Sequence, residues 1–391
     1  MEMLFTSEEL ALRQKVRDFA RTKLLPRSME IEWRSAPEER VPWDLVEELS
    51  RMGIRTIAAP REYGGAAAGP VTLCMLAEEL AAGDMGVAVI FDQTWKITRI
   101  CLEWANQEQK DWFFKRFMPN HRAVLAICGT EPEHGSDWVL RYPRSRFLTE
   151  AVRDGEAWVL NGHKRFISNG ADADVYLVYA CTDSSKSILE GSSLFIVPGD
   201  VPGLKRVRIH EKMGQRTINN AELIFEDVRL PGWALLGEVN QGLSRYVLKE
   251  SAVEAAATVL GCAQGAFDWA LQWAKTRIQG GKPLIEHANV KIALARMLAK
   301  LEAARSLVYR AAWLVENQEP YDRKWSGLAK TFSAEVAVQV AIEAMELQGG
   351  SGYMLDSPAQ KYVRDCLSFL HSDGAQDTLR LMVGALLAEE G

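Results

Sequence analysis

Near its C-terminus the chain reads FLHSDGAQDTLRL, residues 369–381, with Asp373 set directly before Gly374. An acid at a sharp glycine turn either serves as a general base or simply suits the turn, as Asp commonly does. A second stretch, CGTEPEHGSD at residues 128–137, gathers Thr130, Gly135 and Ser136 into one segment. Such a turn can offer backbone N–H groups and hydroxyls to an anion or a heterocycle; the alternative is a polar surface turn capped by Ser136 and Asp137. A third, KRFISNGADAD at residues 164–174, places Phe166 two positions before Ser168. That pair suits the face and edge of a planar cofactor, or else belongs to an ordinary strand leading into an Asn-Gly turn.

These residues need elements to hold them, and the hydrophobic period changes twice along the chain. From Thr6 to about Pro119 the pattern is helical: Thr6 and Glu9 make a capping box, and Leu12, Val16 and Phe19 fall on one face. Helices are also predicted over WDLVEELSRMG, TLCMLAEELAAG and the Trp95–Trp104 region. From about Val124 to Leu230 short β-branched and aromatic runs such as DVYLVYAC, SSLFIVPG and AELIFEDVRLP predict strands. Asn161-Gly162, within AWVLNGHKRFISNG, predicts a hairpin turn. From about Gly242 alanine-rich helical patterns return at 252–275, 288–315 and 327–347, each long enough to cross a bundle. The expected fold class is α+β, with a helical unit at 1–122, a β-barrel-like unit at 123–232 and a four-helix bundle at 233–391.

Composition narrows the function. A net charge of −6 argues against a nucleic-acid partner. The cysteines lie far apart with no CxxC pair, which fits reduced thiols in a cytoplasmic protein better than a disulfide frame, a zinc site or another metal centre. The N-terminus turns polar too early for a secretory signal, and no apolar run reaches the roughly 18 residues of a membrane span.

TEPEHGSD, KRFISN, MGQR with FEDVRLP, GGSGY, PAQKYVRD and the acid-Gly turn occur in that order along the whole chain. In this the sequence resembles the acyl-CoA dehydrogenase family of flavoproteins. The resemblance implies an oxidoreductase that removes the α-proton of an acyl thioester with a carboxylate and passes the β-hydride to flavin N5. It implies FAD, with Thr130 bonding the flavin ring, Ser136 near the phosphates, Phe166 covering the ring and Ser168 at its N5 edge. Arg277 corresponds to an arginine that reaches the FAD of a neighbouring subunit, and Gly349 and Gly350 to a turn that admits the adenylate end. A homotetramer built as a dimer of dimers, and electron-transferring flavoprotein as the acceptor, follow from the same resemblance.

Counted from Arg364 and Asp365, the family's catalytic glutamate falls on Asp373, whose backbone N–H the resemblance makes a donor to the thioester oxygen beside Gly374. The side chain is shorter by about 1.5 Å, and a misplacement near 1 Å can slow a reaction roughly a hundredfold. Asp92, in GVAVIFDQTWK beside Phe91 and Trp95, falls on a segment that lines the family's acyl pocket and stands as the alternative base. Burying it requires a partner, for which Lys96 or the polar part of a substrate serves; otherwise it is an exposed helix residue. A glutamate that a few members use instead falls on Ser251, flanked by Glu250 and Glu254, and the arginine common after it is Ala252. His371 reads as a packing residue. A cyclic, branched or polar acyl group on CoA or a carrier protein stays open, as do a nitroalkane-oxidase-like flavin oxidase and a non-catalytic paralogue.

Overall fold

The computed structural model describes residues 5–136, 145–245 and 251–389; Asp137 and Glu250, both named above, lie outside the described residues. The chain opens on helices α1 (Ser7–Phe19), α2 (Leu25–Ile31), α3 (Trp43–Arg51), α4 (Pro70–Gly83), α5 (Met85–Trp104) and α6 (Gln107–Phe117). The expected capping box starts α1: Glu9 N donates to Thr6 Oγ1 at 3.2 Å and Thr6 N donates to Glu9 Oε2 at 2.8 Å. Every residue of α4 is buried, which its alanine- and leucine-rich sequence allows on all sides. Asp84 caps α5 by accepting from Val87 N at 2.8 Å, and α5 is buried from Met85 through Thr98. Asp92 is therefore an interior residue with no exposed surface, and not an exposed helix position.

Strands follow: β1 (Leu125–Cys128), β2 (Glu150–Asp154), β3 (Ala157–Ser168), β4 (Val175–Cys181), β5 (Ser192–Pro198), β6 (Leu204–Ile209), β7 (Asn220–Pro231) and β8 (Leu235–Leu236). Among the described residues they form one sheet in the order β6-β7-β3-β2-β4-β5-β8, with β1 parallel on β4. Central β4 is buried along its whole length, in keeping with VYLVYAC having no polar alternation.

One sequence expectation is overturned here. Asn161-Gly162 does not turn a hairpin; β3 runs through it, and the β2–β3 hairpin turns at Gly155 instead, pairing Asp154 with Ala157. The Asn161 side chain spends its polar groups across the sheet, donating to Asp227 Oδ1 at 3.1 Å and accepting from Asp227 N at 2.8 Å. The register shift between Leu160 and Gly162 against β7 marks a bulge, the other local structure that an Asn-Gly pair favours.

The last third returns to helices: α7 (Gly242–Arg245), α8 (Ser251–Thr276), then the two-stranded β9 (Ile278–Gln279) and β10 (Lys282–Pro283), α9 (Ala288–Asn317), α10 (Lys324–Glu346), α11 (Gly350–Tyr353), α12 (Pro358–Ser368) and α13 (Gln376–Glu389). Helix α10 packs on α8, α9, α12 and α13, and α8 also meets α4, α5 and α12. One apolar core thus runs from Val16 to Phe369 through both helical ends of the chain, while the sheet keeps a core of its own. The arrangement is α+β, helices before and after a sheet. Among the described residues no helix is long and apolar enough to cross a membrane.

Candidate active site

A cavity of about 770 Å³ opens where the sheet meets the C-terminal helices. Thr130, Ser136, Phe166, Ser168, Ser251, Asp373 and Gly374 all line it, although they come from stretches far apart in sequence. Thr130 follows β1, in a loop pinned from below. The next residue, Glu131, accepts from Leu148 N at 2.6 Å, Thr149 N at 2.9 Å and Lys164 Nζ at 2.8 Å. Burial pushes Glu131 up, but the Lys164 charge and these hydrogen bonds prevail and hold its carboxyl below the usual range. The two motifs that begin at Thr130 and Lys164 are thus joined by a buried ion pair that sequence reading did not connect.

Phe166 sits at a second irregularity of β3, where the pairing with β7 shifts between Lys164 and Ile167. Its backbone has φ +58, uncommon for a residue with a β-carbon. This turns the ring out of the sheet, so that 51% of the residue is exposed beside His210, with ring centroids 4.7 Å apart. Asn220 Nδ2 fixes the segment by donating to Phe166 O at 3.0 Å and Ser168 Oγ at 3.1 Å. Non-glycine residues held at positive φ concentrate at functional sites, where the surroundings over-determine them.

The opposite wall is the turn after α12. Asp373 at φ +51 and Gly374 at φ +95 reverse the chain. Ala375 N donates to Ser136 Oγ at 3.1 Å, which ties this turn to the Thr130 loop. Lys330 Nζ, from α10, donates to Gly374 O at 2.5 Å and Gln376 Oε1 at 3.0 Å. Burial pushes Lys330 down to about 8, opposed by the charge of Asp373. The Asp373 backbone N–H has no acceptor among the described residues. The base of α12 is anchored as well: Asp365 accepts from Gln215 N at 2.6 Å and Lys361 Nζ at 2.6 Å. Gly214 leaves room for that contact, since a β-carbon there would stand 2.3 Å from Arg364 O.

Behind Asp373 lies a buried charge cluster. Lys96 Nζ stands 2.7 Å from Asp92 Oδ2 and 3.2 Å from Asp373 Oδ1. Glu254, fully buried on α8, faces the same cluster, its carboxyl acting on both Asp92 and Lys96. Burial pushes Asp92 up to about 6, with the Asp373 charge adding to the rise and Lys96 pulling against it. For Lys96, burial opposes the charge, but Asp373, Asp92 and Glu254 outweigh it and hold the ammonium protonated. Asp92 does not line the cavity; it reaches Asp373 through Lys96.

The remaining candidates lie elsewhere. Trp95 is buried away from the cavity, donating its indole N–H to Ile54 O at 2.8 Å. Arg277 is exposed at the end of α8, 5.9 Å above the Trp273 ring. Gly349 and Gly350 are exposed, and a β-carbon on either would meet only open space. His371 lines the cavity, whereas Ala252 is wholly buried. Cys128 is buried, which pushes its thiol up to about 12. Sequence reading missed Lys330; a lysine among the alanines of a buried helix face was the available signal, because such a charge needs partners.

Comparison with known proteins covers the same three regions. The acyl-CoA dehydrogenase N-terminal domain matches residues 6–119, the middle domain 126–228 and the C-terminal domain 241–388. The chain is 32% identical to the cyclohex-1-ene-1-carbonyl-CoA dehydrogenase of Geobacter metallireducens, over 98% of each chain. It is similar in structure to the butyryl-CoA dehydrogenase of Megasphaera elsdenii, with a TM-score of 0.90, 29% identity and coverage of 98% and 99% of the two chains. A glutaryl-CoA dehydrogenase from Mycobacterium smegmatis in complex with FADH2 has a TM-score of 0.88 at 27% identity, covering 100% of this chain and 96% of that one.

Proposed function

Because the chain belongs to the acyl-CoA dehydrogenase family of flavin-dependent oxidoreductases, we propose that Asp373 takes the α-proton of its acyl-CoA substrate in a cavity that also holds FAD. The observation that carries the reading is the Asp373 turn. A carboxylate and the adjacent backbone N–H, free of any acceptor among the described residues, belong to one residue in the cavity wall. A thioester α-carbon is a weak acid, so its proton needs both a base in reach and donors for the charge that develops on the thioester oxygen. The Asp373 N–H supplies one such donor, worth on the order of 3 kcal/mol.

The residues fit FAD. The cavity has the size of a small-molecule site. Phe166 offers a half-exposed ring on a constrained backbone, and Thr130, Ser136 and Ser168 offer hydroxyls around it. When bound, FAD supplies the acceptor for the substrate's β-hydride, leaving an enoyl thioester. Thr130 would orient the ring, Phe166 would cover it, Ser168 would bond its N5 edge and Ser136 would lie toward the phosphates. Arg277, Gly349 and Gly350 lie outside the cavity; Arg277 would reach the FAD of a neighbouring subunit in a dimer or a dimer of dimers, and the two glycines would admit an adenylate end. Electron-transferring flavoprotein is the proposed acceptor. A cytoplasmic setting is supported by the free thiols of Cys74, Cys101, Cys128, Cys181, Cys262 and Cys366.

Anaerobic mixing of the yellow protein with linear, branched and cyclic acyl-CoAs tests the reading. Flavin bleaching by at least one of them is expected, with the best substrate defining the acyl pocket. Absence of bleaching across the panel contradicts the reading.

A further inference from the structure

We propose that Lys96 is a positioning residue for the dehydrogenation: anchored on buried Asp92, its ammonium holds one oxygen of Asp373 so that the other is presented to the substrate. The inference rests on Asp373 acting as the base. Asp92 and Lys96 stand four residues apart on α5, the spacing that places two side chains on one helix face. Both are buried, with side-chain exposures of 0% and 5%, so the pair cannot trade its contacts for water. From that fixed base Lys96 reaches Asp373 Oδ1 at 3.2 Å, while Asp373 Oδ2 has no protein partner among the described residues.

The arrangement answers a problem set by the short side chain. An aspartate has one fewer torsion and one fewer methylene than a glutamate with which to seek the α-carbon, so its orientation must be set from behind. Other charges face the same point: Glu254 from α8 and Lys330 from α10, with Arg380 of α13 acting on Lys330. Without Lys96, the carboxylates of Asp92, Glu254 and Asp373 would confront one another, with Lys330 the nearby cation among the described residues.

The test is the pH dependence of anaerobic flavin reduction by butyryl-CoA and by cyclohexane-1-carbonyl-CoA, in the FAD-loaded wild type and in Lys96→Met, Lys96→Arg, Asp92→Asn and Asp373→Asn. Binding of acetoacetyl-CoA and the circular-dichroism melt are measured alongside. Lys96→Met is expected to slow reduction about a hundredfold at neutral pH through misplacement of the base. It should also move the acid limb of the profile up by about one to three pH units through loss of the nearby cation, while the high-pH plateau stays below that of the wild type because the base remains misplaced. Acetoacetyl-CoA should still bind. Lys96→Arg should keep the limb near the wild-type position, and Asp92→Asn, which removes an anion, should move it down. A Lys96→Met profile that keeps its wild-type position overturns the proposal. If that variant does not fold, Asp92→Asn decides alone: no downward movement overturns it. Undiminished reduction in Asp373→Asn instead refutes the assignment of the base, whatever Lys96 does.

Discussion

At Asp92 a carboxyl has been placed where water cannot reach it, and that has a thermodynamic signature apart from catalysis. Its folded pKa rises from the ordinary 3.8 to about 6. The folded state therefore holds this proton more tightly than the unfolded chain does. The associated stability is fully present below about 4 and is lost as pH rises through about 6. Asp92→Asn carries no such titration, so relative to wild type the variant should gain stability between pH 4 and pH 6, by about 3 kcal/mol at most. Urea denaturation at both pH values reads the difference, and a flat difference would mean that Asp92 titrates normally. The acid at Asp373 was legible in the sequence because it stands at a glycine turn in a familiar order of motifs. Lys96 was legible as the partner of Asp92 four residues away, but its reach to Asp373 was not, nor was Lys330, since tertiary packing alone brings both lysines to the turn.

At the scale of elements, what could be read was local. The capping box of α1 and the long C-terminal helices are written within a few residues or turns, and they appear where the sequence puts them. Asn161-Gly162 was misread because the same pair suits a tight hairpin or a bulge, and only the cross-strand partners on β2 and β7 decide between them. The link between the Thr130 loop and β3 was likewise invisible, as Glu131 and Lys164 are partners only once the sheet exists. Breaking one side of a fully buried pair leaves an uncompensated charge and typically costs about 3–5 kcal/mol. Glu131→Gln should therefore lower stability by about that amount in denaturant titration, and the loosened loop should release FAD more readily. Unchanged stability would mean that the pair is dispensable.

For the whole molecule, the helical ends share a core and the sheet lies against them, so the site forms at a seam where no single stretch is sufficient. Arg277, Gly349 and Gly350 stay outside that seam, and it is the family resemblance that assigns Arg277 to a neighbour's cofactor and the two glycines to an adenylate end. Arg277→Ala should reduce the FAD-to-protein ratio after gel filtration and leave the reduction rate of the flavin that remains unchanged. Full FAD retention would contradict that assignment. The most direct test of the central claim is anaerobic stopped-flow bleaching of Asp373→Asn beside wild type, with the acyl-CoA that reduces the wild-type flavin. General base catalysis contributes about 10²–10⁴-fold, so the variant should bind the thioester and bleach slower by at least the lower figure. Bleaching at the wild-type rate, or a comparable loss in Asp92→Asn while Asp373→Asn remains active, would contradict it.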